Sequence, residues 1–199
     1  MIVLVAMGVG RLISDHIPLD HVDAASFVHR GDVGERVRLR FADVTVTDVR
    51  AARALTTHTT AAAPAGVFLV LAVTAVGRGS DQNYVGLDLV DPAGIHYVPT
   101  VRGGCATAIK GRAGVPSYAL ICYDVPRQAL EGAHLQFSLA PYDNDGAFQR
   151  RDDVADIDLG IHAAEAARMW RTNDSYKASM TELTPPDLTP SPAPKAVSR

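Results

Sequence analysis

The chain of 199 residues is short of several things, and each shortage narrows what it can be. It carries no excess of positive charge: 19 Lys and Arg stand against 22 Asp and Glu, a net charge of -3. A protein that tracks a phosphate backbone needs a cationic surplus, so nucleic acid is not an expected partner. Aromatic residues make up 6 %, with one Trp. Cysteines number two, Cys105 and Cys122. They are too far apart for a CxxC redox pair and too few for a four-thiolate zinc site. In a reducing compartment they would be two small buried apolar residues; in an oxidising one they could form one disulfide.

Long hydrophobic runs are also missing. The longest stretch without a polar side chain at the start is MIVLVAMGVG, residues 1–10, and Arg11 interrupts it before Leu12 and Ile13. A spanning helix needs about 20 apolar residues. A secretory signal would place basic residues ahead of the apolar ones. Residues 1–13 are therefore read as the outer end of a membrane anchor whose true start lies upstream, with a buried N-terminal strand as the competing reading. Residues 14–32 are polar, contain Pro18 and show no clean period, which predicts an extended stalk.

The motifs that announce chemistry are absent. No GxSxG elbow, Walker loop or HExxH occurs, and Gly8 and Gly10 lack the helix and spacing of a dinucleotide fingerprint. The seven histidines match no metal spacing. The stretch DNDGAFQRRDD, residues 143–153, invites a calcium test. With Gly146 at the sixth loop position, Asp143, Asp145 and Asp152 fall at ligand positions, but Pro141 occupies the first and the flanks read as strands. A looser Ca²⁺ site on Asp143, Asp145 and Asp152 is the secondary reading. The primary one is a solvated hairpin loop paired with Arg150 and Arg151. No catalytic residue and no cofactor is expected.

What is present is alternation. Val37, Leu39 and Phe41 alternate with Arg36, Arg38 and Arg40, a half-buried strand with arginines on its wet face. Residues 66–77, GVFLVLAVTAVG, are apolar on both faces, which marks a central strand covered twice. Residues 84–90, 95–98, 117–125, 133–140 and 153–161 complete a series of short strands separated by Gly, Pro and Asp turns. Residues 51–65 and 99–114 read as loops. Residues 162–176 read as a helix presenting Ala163, Ala166, Ala167 and Trp170 to the domain. Residues 184–199 hold five prolines in sixteen positions and predict a disordered tail. The class is all-β, a sandwich over residues 33–161 with a short C-terminal helix.

The segments VRLRFADVTVTDVRAAR, GVFLVLAVTAVGRG, LDLVDPAGIHYV and YALICYDVP, in that order, resemble a family of immunoglobulin-like extracytoplasmic domains from Gram-positive and actinobacterial cell envelopes. Asp124, Val125 and Pro126 match that family's recurring strand ending. The resemblance implies an antiparallel immunoglobulin-like sandwich on the extracytoplasmic face of the membrane, tethered at its N-terminus. There is no lipobox cysteine, so a lipoprotein anchor is not supported. The expected role is a non-catalytic binding or scaffolding module, an accessory subunit of an envelope or membrane protein complex. Tyr84, Tyr97, Tyr142 and Phe148 are the candidate contact aromatics. A carrier of lipid in a cavity between the sheets is the alternative, and a metal-dependent or hydrolytic enzyme a third.

Overall fold

A computed structural model describes residues 26–57, 61–140 and 153–177. The strands in chain order are β1 (Phe27–Asp32), β2 (Val37–Arg38), β3 (Ala42–Ala52), β4 (Ala54–Thr56), β5 (Ala61–Ala62), β6 (Val67–Gly77), β7 (Gln82–Tyr84), β8 (Gly86–Val90), β9 (His96–Tyr97), β10 (Ile109–Gly111), β11 (Pro116–Val125), β12 (His134–Ser138), β13 (Asp153–Asp158) and β14 (Ser175–Lys177). One helix, α1 (Ala163–Trp170), precedes β14.

Two large sheets face each other. One has the order β1-β13-β12-β8-β9 and the other β11-β6-β3-β2. Between them lies one continuous core. Leu69, Leu71, Val73, Ile121 and Tyr123 from the second sheet meet Leu87, Leu89, Leu135, Phe137 and Ile157 from the first. The described chain is thus mostly β, a sandwich with one short helix.

The uninterrupted apolar run of β6 has the reason its sequence suggests. Val67, Leu69, Leu71, Val73 and Ala75 point into the sandwich. Phe68 and Val70 point outward into a second, smaller cluster with Ala52, Leu55, Cys105, Leu120 and Cys122. That outer face is covered by a three-stranded sheet, β14-β4-β5, and by the segment around residues 99–106. Cys105 and Cys122 are bonded, with Cα atoms 5.8 Å apart.

Several expectations give way here. Residues 27–32, expected as the end of an extended stalk, form β1 and pair with β13 in parallel. FVHRGD has no buried face, so alternation could not reveal it; backbone pairing and one side-chain bond hold it. The strand expected through Phe41 is only Val37–Arg38, because the chain turns at once and Leu39 N–H donates to Ala42 C=O (2.8 Å). Residues 51–65, read as a loop, contain the end of β3, then β4 and β5. Residues 99–114 include a 3-10 turn at Arg102–Gly104 and β10.

The sandwich is not wholly antiparallel, since β1 pairs β13 and β14 pairs β4 in parallel. The helix ends at Trp170, and residues 175–176, the end of the expected helix, belong to β14. Its buried residues are Ala166 and Met169, with Trp170 packed beside them, while Ala163 is exposed. Met169 fills the core better than the alanines of the expected stripe. Residues 1–13 and 184–199 lie outside the described residues. No described helix is long and apolar enough to cross a membrane.

Candidate functional site

The expected contact residues are scattered. Tyr84 is not a surface aromatic: it is fully buried, its ring 5.7 Å from Phe41 and 5.2 Å from Phe137. Burial raises its phenol pKa, with Asp81 adding to the effect. Tyr97 is half-buried and donates its O–H to Asp91 Oδ2 at 3.2 Å. Its pKa is raised, first by desolvation and then by that carboxylate. Tyr142, Phe148 and the calcium candidates Asp143, Asp145 and Asp152 lie outside the described residues. Among the described residues no group of three His, Cys, Asp or Glu side chains could hold a metal ion.

The loop leaving β8 offers a more exposed surface. Buried Asp91 accepts from the backbone N–H groups of Ala93 and Ile95, both at 2.9 Å, and so fixes the DPAG turn. Farther on, Thr100 N–H donates to Cys122 C=O (2.8 Å), beside the disulfide. Along this segment Ile95, Val98 and Val101, the last just past Thr100, are 53 %, 69 % and 72 % exposed. Three exposed aliphatic side chains thus fall within seven residues of a segment tied down at the Asp91 turn and at Thr100.

The disulfide segment is itself clamped. Arg102 Nη1 donates to Asp124 Oδ2 (3.1 Å), its Nη2 reaches Ala63 C=O, and its guanidinium lies over the Phe68 ring. Asp124 also accepts from the backbone N–H groups of Ala65 and Gly66. Gly103 has φ 69° and sits against Leu55, where a Cβ would collide. The Asp-Val-Pro ending of β11 is therefore a structural latch.

A second surface lies where the β1 edge of one sheet meets the β2 end of the other. Phe27, His29, Arg38, Leu39, Arg40, Arg78 and Asp153 line an open basin of ≈ 660 Å³. Asp153 is buried at its base. It accepts from His29 Nε2 (2.6 Å) and from the backbone N–H of Arg40 (2.5 Å). The Arg40 guanidinium stands 5.6 Å from the Phe27 ring centroid, and Phe27 is 66 % exposed. Arg78 Nη2 lies 3.0 Å from Asp43 Oδ1, and Arg38 Nε lies 3.9 Å from the same oxygen. The lining thus carries three guanidiniums and one carboxylate, with Arg40 Nε 3.7 Å from Asp153 Oδ2 and Arg38 the most weakly paired of the three. A His–Asp pair of this geometry can orient a base; here it also ties β1 to the first residue of β13.

A third depression, of ≈ 750 Å³, runs between α1 and β3. Two of its arginines are paired, Arg168 with Glu165 at 2.6 Å and Arg50 with Asp48 at 2.5 Å, and Arg171 and Asp174 also line it.

No protein-family model matches the chain, and no curated protein matches its sequence. Two solved structures share part of its shape. The yjhA protein from Bacillus subtilis is 18 % identical with a TM-score of 0.47, over 65 % of this chain and 98 % of that one. An uncharacterized β-sandwich protein from Clostridium difficile 630 is 12 % identical with a TM-score of 0.38, over 66 % of this chain and 95 % of that one.

Proposed function

We propose that the chain is a non-catalytic extracytoplasmic module of the immunoglobulin-like type, seated at the outer face of the cell membrane. It serves there as an accessory subunit of an envelope or membrane protein complex. The observation that carries the reading is the fixed loop presenting Ile95, Val98 and Val101 to solvent. Apolar side chains held in place lose little conformational freedom when a partner covers them, so more of the burial energy appears as affinity. The Cys105–Cys122 bond supports the compartment, since structural disulfides persist mainly in oxidising surroundings.

The test is co-purification of the C-terminally tagged full chain from native membranes, beside Val98→Asp and Val101→Asp. The expected result is a stoichiometric partner with the wild type, lost from both variants while their melting temperatures stay unchanged. A wild-type chain that emerges alone, or variants that keep the partner, would overturn the reading.

A further inference from the structure

The basin between β1 and β2 has no part in the partner loop, and its chemistry differs. Its apolar part is the exposed Phe27 ring, with Leu39 buried beside it. Its rim is cationic, with Arg38, Arg40 and Arg78. Two of the three are committed: Arg40 Nε lies 3.7 Å from Asp153 Oδ2, on a buried carboxylate that also holds His29 and the Arg40 backbone N–H, and Arg78 is paired with Asp43. Arg38 is the least committed of the three. Its side chain is 73 % exposed, and among the described residues its one ion pair is a 3.9 Å approach to Asp43.

We infer that this basin is a binding site for a small anionic amphiphile, a molecule with a phosphate or carboxylate head on a single apolar tail. Charge complementarity selects the head. A guanidinium offers paired N–H donors in the plane that such an oxyanion accepts, and a partly desolvated site strengthens the bond. The apolar part selects the tail: the exposed Phe27 ring gives it a surface to leave water on. A ≈ 660 Å³ volume falls within the usual range for small-ligand sites. The open mouth lets the head enter the arginine rim while the tail lies along the Phe27 side. Neither half of the ligand suffices, because an inorganic anion leaves the apolar part wet and an alcohol leaves the arginines unmatched.

Titration calorimetry of the full chain with octyl phosphate, kept below its micelle concentration, tests this. The comparison probes are inorganic phosphate and octan-1-ol. The expected result is saturable binding of one octyl phosphate per chain, weakening as salt is added. Each comparison probe should bind at least about tenfold more weakly, as should octyl phosphate to Arg38→Gln, the loss expected for one charge-assisted hydrogen bond. Phe27→Ala should weaken octyl phosphate while leaving inorganic phosphate unchanged. Both positions are exposed, so the folded state survives, and thermal melting checks it.

Equal binding of octanol and octyl phosphate would overturn the inference, as would indifference to Arg38→Gln or no saturable binding. Val98→Asp should bind octyl phosphate like the wild type. The partner reading and this one therefore fail separately.

Discussion

The molecule has two hydrophobic layers on opposite faces of one sheet, and they are stabilised in different ways. The inner layer is thick. Both large sheets contribute to it, and Phe41, Tyr84 and Phe137 stack at 5.2 to 6.1 Å between ring centroids at one end. Apolar area alone can hold it. The outer layer has only Ala52, Leu55, Phe68, Val70, Leu120 and the two cysteines at its centre. Its cover is made of strands of two or three residues. Such short strands bury too little to stay down unaided. The chain adds a disulfide, the Arg102–Asp124 latch and a second clamp at Arg53. The Arg53 guanidinium donates to Gly66, Trp170 and Thr172 carbonyls and lies 4.8 Å from the Trp170 ring centroid. Where packing is thin, covalent and charged staples take its place.

Substitutions in the two layers should separate these mechanisms. The largest effect is expected for Phe137→Ala, which empties a fully buried site in the aromatic end of the inner layer: a loss of about 3–5 kcal/mol by urea denaturation, with every probe falling together. Replacing both cysteines by alanine should cost about 3 kcal/mol in the chain-entropy picture. Hydrogen exchange should then accelerate around residues 99–106 while β8 and β12 keep their protection; uniform acceleration would mean the layers are not separable. Arg53→Met should cost about 2 kcal/mol, since it removes charged hydrogen bonds to three carbonyls. Because Trp170 is the one tryptophan, its fluorescence should shift toward the emission of a wetter ring.

Tyr123 adds a pH test of the inner layer. Its O–H donates to Leu87 C=O at 3.0 Å, and burial, aided by Asp88, raises its pKa well above the usual value. The unfolded phenol ionises near pH 10. Between that value and the raised native one, the unfolded state loses its proton first, so stability present below about pH 10 falls as pH rises. Tyr123→Phe should cost about 1 kcal/mol at neutral pH by orphaning the carbonyl, and should flatten the alkaline decline. The smallest effect belongs to Arg168→Ala, whose exposed pair with Glu165 is worth under about 0.5 kcal/mol.

The inner layer was largely legible in the sequence. β6 and β11 alternate or run apolar as their burial requires, and Ile157, Leu159 and Ile161 are all buried as their spacing indicates. The outer cover was not legible. AARALTTHTTAAAPA is made of small residues whose pairing depends on partners far along the chain, such as β14 against β4. β1 was hidden for a related reason: its side-chain tie, His29 to Asp153, spans 124 residues. The basin shares that difficulty. Arg38 and Arg40 read as a solubilising face, and nothing local shows that Phe27, Arg78 and Asp153 converge on them. Val98 closed the expected strand 95–98 and Val101 fell in the weakly patterned stretch 99–114, and in neither place does sequence pattern show that an aliphatic is exposed.

The parallel pairing of β1 with β13 has a mechanical consequence. All six residues of β1 are registered side by side with Asp153–Asp158. A pull along the strand from its N-terminal end loads the whole ladder at once, in shear, whereas a hairpin opened from its tip would yield one bond at a time. A domain held from that end would resist tension with its full row of hydrogen bonds acting together.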